Sequence, residues 1–308
     1  MCRIVGGQML LGKMEKEVFR KQMWVMAEFC GLEVLTYCVM GNHFHILLRV
    51  PSVEDREESD VVLLSRVEGL YGRDSVYYGF VESVFNEKDS VRARELREQL
   101  LARMYDMSVF MKELKQRFSI WYNKSHGRYG TLWADRFKSV LVENKRFSLE
   151  TVAAYIDLNP LRAGLVDDPK DYRYSGYGEA MGGSTLARKG IEGCVCEAGW
   201  SKTVECYRQL LFGKGGVVQK EGQNMIDAER VRSVLENGGK VSRAEALRCR
   251  MRYFSDGLII GGENFIAGVL NANEGTLGQK AKLKGKVLGD NDWGGLMSYR
   301  DLKKNVFS

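Results

Sequence analysis

Two β-forming runs joined by Gly41-Asn42 constrain the fold more than any other stretch of the chain. Glu33-Val34-Leu35-Thr36-Tyr37-Cys38-Val39-Met40 precedes the turn, and His43-Phe44-His45-Ile46-Leu47-Leu48-Arg49-Val50 follows it. Gly-Asn between two apolar runs is a hairpin signal. Successive side chains on a strand point to opposite faces. His43, His45 and Leu47 are therefore expected on one face, and Phe44, Ile46, Leu48 and Val50 on the other, facing a core. Pro51 ends the second run. Upstream, Phe19, Met23, Met26, Ala27 and Cys30 recur at helical spacing between Lys13 and Gly31, and Gly31 is a natural helix stop. Residues 1–11 read as a short, abrupt first strand that ends at Gly6-Gly7. The first 50 residues thus read β-α-β-β.

The chain has three histidines, and two of them share one face of one strand. Two neutral imidazoles on a rigid strand make half of a metal site; the alternative is a half-exposed polar pair on an outer face. The third, His126, stands at an expected helix end beside Gly127, where it either caps the helix or is solvated. Cys194-Val195-Cys196 with Cys206 matches none of the usual zinc spacings. Seven scattered cysteines suit reduced thiols in a cytoplasm. No run approaches the length of a membrane span, and the start lacks the apolar core of a secretory signal, so no membrane partner is expected.

After Pro51 the character changes. Residues 51–100 carry 12 acidic and 7 basic side chains, which points to an inserted, mainly helical and solvated excursion over about 52–106. Residues 101–150 reverse the balance, with 10 basic and 5 acidic, and the whole chain is +6. A basic centre and a basic tail suit a polyanion such as nucleic acid, although solvated helix faces account for the same charges. A helix is expected over 108–125 with the stripe Phe110, Met111, Leu114, Phe118 and Trp121, then a turn at 127–130 and a strand over 136–143. A last helix begins near Ser148, a plausible N-cap, and ends at Asn159-Pro160, because proline disfavours helical geometry in the residue before it. Tyr155 and Asn159, four apart, share a side of that helix. The order β-α-β-β-(insertion)-α-β-α is close to the split βαβ plan: an α+β, ferredoxin-like antiparallel sheet with two packed helices.

Three stretches, in order, carry a resemblance. They are Met40-Gly41-Asn42-His43-Phe44-His45-Ile46-Leu47-Leu48, then Gly130-Thr131-Leu132-Trp133-Ala134-Asp135-Arg136-Phe137-Lys138-Ser139-Val140-Leu141-Val142, then Tyr155-Ile156-Asp157-Leu158-Asn159-Pro160-Leu161-Arg162-Ala163-Gly164-Leu165-Val166. Together they resemble the single-tyrosine HUH transposases of the insertion-sequence and REP-associated type, over residues 1 to about 180. The resemblance implies that Tyr155 is a nucleophile and that His43, His45 and Asn159 hold a divalent metal, Mg2+ or Mn2+. It implies nicking of single-stranded DNA through a 5′-phosphotyrosine link, followed by strand transfer, on hairpin or repeat-associated DNA. Many relatives carry histidine where Asp157 stands, and Asp157 is expected to point away from the Tyr155 side. The first strand also lacks the family's usual opening residues.

Arg128, Arg136, Lys138 and Arg162 flank these motifs and are expected to contact the phosphate backbone. Tyr129 or Trp133 is a candidate for stacking a base, with burial the first expectation for Trp133. Residues 1–180 are read as the catalytic domain and 185–308 as a mainly helical extension, either an accessory DNA-binding region or a solubilising appendage. In that extension helices are expected over 231–235 and 243–252, with Ser242 as N-cap. A helix-turn-helix-like arrangement is read over 242–265, a short apolar element near Ile259, and a basic loop at Lys280, Lys282, Lys284 and Lys286. A cytoplasmic monomer or homodimer is expected. Two other readings remain: a DNA-binding regulator that keeps the fold without chemistry, and an unrelated metal hydrolase on the His-x-His strand.

Overall fold

The computed structural model describes residues 1–87, 90–195, 199–212, 258–273, 286–287 and 295–299. The protein is α+β and mainly helical, with small antiparallel and mixed sheets. It divides into two compact units. The first holds Cys2–Leu35 and Val39–Arg136; the second holds Met1, Thr36–Cys38 and Phe137–Ser308.

The chain opens with β1 (Cys2–Arg3), α1 (Lys13–Cys30), β2 (Glu33–Val39) and β3 (His43–Arg49), all in the first unit except Thr36–Cys38 of β2. The sheet order is β1-β3-β2, and β1 runs antiparallel to β3 with Cys2 opposite Phe44 and Arg3 opposite His43. On its other side β1 meets a second antiparallel partner: Ile4 pairs with Trp133, the Val5 amide donates to the Leu132 carbonyl at 3.0 Å, and the Ala134 amide donates to the Arg3 carbonyl at 3.0 Å. Gly6 and Gly7, at φ of 63° and 67°, then turn the chain away from the sheet, a left-handed bend that suits glycine.

Three serine caps start the helices of the excursion. Ser59, Ser75 and Ser90 accept backbone amides at the starts of α2 (Asp60–Tyr71), α3 (Val76–Asn86) and α4 (Val91–Leu101). Asp106 does the same for α5 (Met107–Ser125), accepting from Ser108 and Val109. Helix α5 packs beside α1. Phe19 of α1 is the hub: its ring lies 4.5 Å from Phe44, 5.2 Å from Phe118 and 6.3 Å from Trp133. All five residues expected on the buried side of α1 are buried. On α5 the fifth buried position is Tyr122 rather than Trp121, because Tyr122 lies four residues on from Phe118.

The second unit contains β4 (Leu141–Val142), α6 (Arg146–Asp157), α7 (Asn159–Arg162), α8 (Gly176–Met181), α9 (Thr185–Val195) and α10 (Trp200–Phe212). It continues with β5 (Ile259–Gly261), α11 (Glu263–Ala272), β6 (Lys286–Val287) and β7 (Met297–Tyr299). Its sheet has the order β4-β5-β7-β6, with β4 parallel to β5 and the other pairs antiparallel. Helix α11 covers it through Ile266 and Leu270, packed with Ile259 and Tyr299. The expected strand over 136–143 is confined to Leu141–Val142. Its partner is Ile259–Ile260, the apolar element read from the tail. Among the described residues no helix is long and apolar enough to cross a membrane. The helices expected at 231–235 and 243–252, the Ser242 cap and Lys280, Lys282 and Lys284 lie outside the described residues, as does most of 242–265; Lys286 begins β6.

Candidate functional site

The histidine strand is set by its turn. Backbone φ is negative at both Gly41 and Asn42, so this is not the left-handed two-residue turn that Gly-Asn suggests. The turn is held from outside instead. The Ile4 amide donates to the Asn42 carbonyl at 2.8 Å, and the Leu11 amide donates to the Gly41 carbonyl at 2.9 Å. The Asn42 side chain donates through Nδ2 to the Gly7 carbonyl at 3.1 Å, which turns its Oδ1 toward His43.

His43 Nδ1 lies 2.7 Å from that Oδ1. An amide oxygen only accepts, so Nδ1 carries the proton and Nε2 the lone pair. The His43 and His45 rings lie 5.3 Å apart, nearly perpendicular at 85°. Two imidazoles that share one ion at ordinary bond lengths put their ring centres roughly 4.5 to 5.5 Å apart. The observed ring spacing falls within that range. Burial corrects the face assignment: His45 is only 6% exposed and Leu47 is buried, whereas Val50 is 43% exposed. Phe44 alone of the expected apolar face is fully buried, against Phe19 and Trp133.

Helix α6 carries Tyr155. Ser148 is not its cap; the helix begins at Arg146, Lys145 takes the cap position without a side-chain bond, and Ser148 is buried within the first turn. The helix ends for a covalent reason. Pro160 has no N–H to give to the Ile156 carbonyl one turn back. Asn159 supplies the missing donor: its Nδ2 lies 3.0 Å from the Ile156 carbonyl and 3.2 Å from that of Tyr155. With its amide nitrogen turned to the helix end, Asn159 has Oδ1 as its side-chain acceptor atom.

Arg162, four-residue helix α7's last member, also returns to Tyr155. Its Nη2 donates to the Tyr155 carbonyl, and its guanidinium carbon sits 4.3 Å from the centre of the phenol ring. Tyr155 itself is 4% exposed.

Asp157 is the feature that sequence reasoning missed. Its carboxylate is fully buried and receives three donors: the Thr36 hydroxyl at 2.9 Å, the Tyr207 hydroxyl at 2.7 Å and the Tyr177 amide at 3.1 Å. Burial pushes its pKa up to about 7, against the pull of those donors. The Tyr207 hydroxyl is raised by burial and by the adjoining carboxylate. Tyr177, its ring centre 5.4 Å from that of Tyr207 and tilted by 59°, accepts from Arg208, which also donates to Asp168 at 3.1 Å. The only sequence signal was an acid where the resembled family has histidine.

The other expected residues fall as follows. Arg128 and Arg136 lie in the first unit and Lys138 in the second; Arg136 and Lys138 are exposed and Arg128 half-buried. Tyr129, on a loop between the left-handed Gly127 and Gly130, is 94% exposed. Trp133 is 8% exposed, and its indole N–H donates to the Lys115 carbonyl at 3.2 Å, so it belongs to the core. His126 ends α5, with Nδ1 against the Tyr122 carbonyl at 2.9 Å, Nε2 against Glu15 at 3.2 Å, and its ring stacked on Tyr122. Among the described residues no three His, Cys, Asp or Glu side chains gather into a metal-holding group. No protein-family model, no curated protein and no solved structure matches this chain.

Proposed function

We propose that the protein is a single-tyrosine HUH-type DNA nickase and strand transferase, acting on single-stranded hairpin or repeat-associated DNA. The observation that carries the reading is the His43–His45 pair, 5.3 Å apart with Nδ1 of His43 committed to Asn42. The strand order supports a ferredoxin-like core: the edge residue Trp133, β1, β3 and β2 lie side by side, and α1 and α5 are packed helices of the same unit.

His43, His45 and the Asn159 Oδ1 would hold Mg2+ or Mn2+, which supplies Lewis acidity at a phosphate. The Tyr155 phenol oxygen gives up its proton and attacks the phosphorus. A Tyr155 O–P bond forms and the P–O3′ bond breaks, leaving a 5′-phosphotyrosine and a 3′ hydroxyl. A second 3′ hydroxyl reverses the exchange and joins the strands. One phosphate ester replaces another at each step, so no nucleotide is consumed. Arg128, Arg136 and Lys138 hold the backbone of the strand.

One observation favours a second reading. A tyrosine that is 4% exposed suits a regulator that binds DNA without chemistry. Labelled hairpin DNA incubated with the protein and Mg2+ or Mn2+ separates the two on denaturing gels. A covalent adduct that disappears in Tyr155→Phe supports the enzyme. Binding with no adduct, unaltered in His43→Ala, overturns it in favour of the regulator.

A further inference from the structure

Arg162 stands among basic residues expected to grip phosphate, yet its contacts lead elsewhere. It lies seven residues after Tyr155, two helical turns on, and therefore on the same side of the chain. Pro160 breaks the helix between them and opens the α6 carbonyls to side-chain donors. Asn159 takes the Ile156 and Tyr155 carbonyls, and Arg162 reaches the Tyr155 carbonyl as well. The same guanidinium lies over the phenol face at 4.3 Å. One side chain thus holds one tyrosine at two points, its main chain and its ring.

We propose that Arg162 is a positioning residue that fixes the orientation of the Tyr155 ring for attack on phosphorus. The inference rests on the nicking reading for its purpose but not for its geometry. A phenol has few rotatable bonds, and its oxygen can move by ångströms when the ring swings about χ1 and χ2. In-line attack needs the oxygen in one place, and misplacement by about 1 Å costs on the order of 100-fold in rate. The guanidinium restricts that swing because it sits over the ring while its N–H is tied to the backbone of the same residue. The planar, multiply donating head of arginine can do both at once. The compact ammonium of lysine can bond the carbonyl but cannot stack as a plane. Asn159 is bonded to the same carbonyl, 3.2 Å from it through Nδ2.

The test uses the full chain labelled with 3-fluorotyrosine. The fluorine resonance absent from Tyr155→Phe, among the 14 tyrosines, identifies the residue. In the wild type Tyr155 should give one dominant ring orientation. In Arg162→Met and in Arg162→Lys it should split into two signals or broaden, with melting temperature in Arg162→Lys kept within a few degrees. Single-turnover adduct formation at saturating hairpin DNA should fall about 10- to 100-fold in both variants, with the DNA dissociation constant changed less than twofold. An unchanged fluorine resonance in both variants overturns the clamp. So does weakened DNA binding with the saturated rate retained, which would return Arg162 to the phosphate contacts. A resonance that responds in a protein forming no adduct at all keeps the clamp and overturns the nicking reading alone.

Discussion

The Tyr207 hydroxyl of α10 donates to the Asp157 carboxylate of α6 at 2.7 Å, in a place where neither group meets solvent. The bond ties α10 to the helix that carries Tyr155. Removing the hydroxyl in Tyr207→Phe takes one of three donors from a buried carboxylate. The expected loss is about 1 to 3 kcal/mol of unfolding free energy, read by urea denaturation. A loss below a few tenths would mean that this contact contributes nothing to stability.

The same carboxyl makes stability depend on pH in a defined direction. Its pKa is about 7 in the folded protein against about 4 in an unfolded chain. The folded state therefore holds the proton more tightly. The stabilisation is complete below about pH 4 and is lost as pH rises to about 7, at up to about 1.4 kcal/mol per pH unit. Melting temperatures should accordingly drop between pH 5 and pH 7.5 by less in Asp157→Asn than in the wild type. Parallel profiles for the two proteins would show that Asp157 is ionised throughout.

Asn42 is expected to tune metal binding without touching the ion. It fixes which nitrogen of His43 carries the proton, and second contacts of this kind are worth about 10- to 100-fold in affinity. Asn42→Ala should weaken Mn2+ binding by that factor in calorimetric titration, and His45→Ala should abolish it. Equal affinity in wild type and Asn42→Ala would detach the turn from the site.

Tyr129 and Trp133 should separate cleanly. Tyr129→Ala should weaken binding of single-stranded DNA by about 1 to 3 kcal/mol, the usual worth of one stacked base, and leave the melting temperature alone. Trp133→Ala should destabilise the protein by about 3 to 5 kcal/mol, since its ring fills space against Phe19, Phe44 and Phe118. DNA affinity unaffected by Tyr129→Ala would remove this loop from the interface.

Arg136 should act through charge alone. Arg136→Ala should lower affinity similarly for all DNA sequences and reduce the slope of log K against log salt by about 0.7 to 0.9. An unchanged slope would mean that the side chain meets no phosphate.

Local periodicity was enough to read α1, α5 and the hairpin, because each is defined by contacts within a few turns of its own sequence. All five residues expected on the buried side of α1 are buried, and Glu15 and Phe29 are buried beside them. What escaped were pairings between distant segments. The strand beside β1 is a single pair, Ile4 with Trp133, too short to leave alternation in the sequence. Leu141 and Val142 pair with Ile259 and Ile260 more than a hundred residues away, a choice that no local pattern encodes. On the histidine strand alternation gave the two faces but not their burial, since His45 and Leu47 are covered as well as Phe44. For the candidate site, the spacing of Tyr155 and Asn159 was legible. The chemistry of Asp157 was not, because it depends on Thr36, Tyr177 and Tyr207, which only folding gathers.

Asn42 gives its carbonyl to Ile4, its side-chain amide to Gly7 and its side-chain oxygen to His43. The opening dozen residues thereby act as a keeper for a proton. A ligand, protease or neighbouring chain that drew Ile4 and Gly7 away from the turn would let that proton migrate to the other ring nitrogen. It would then withdraw the Nε2 lone pair from the proposed cation site from a distance, with no substitution of the histidine.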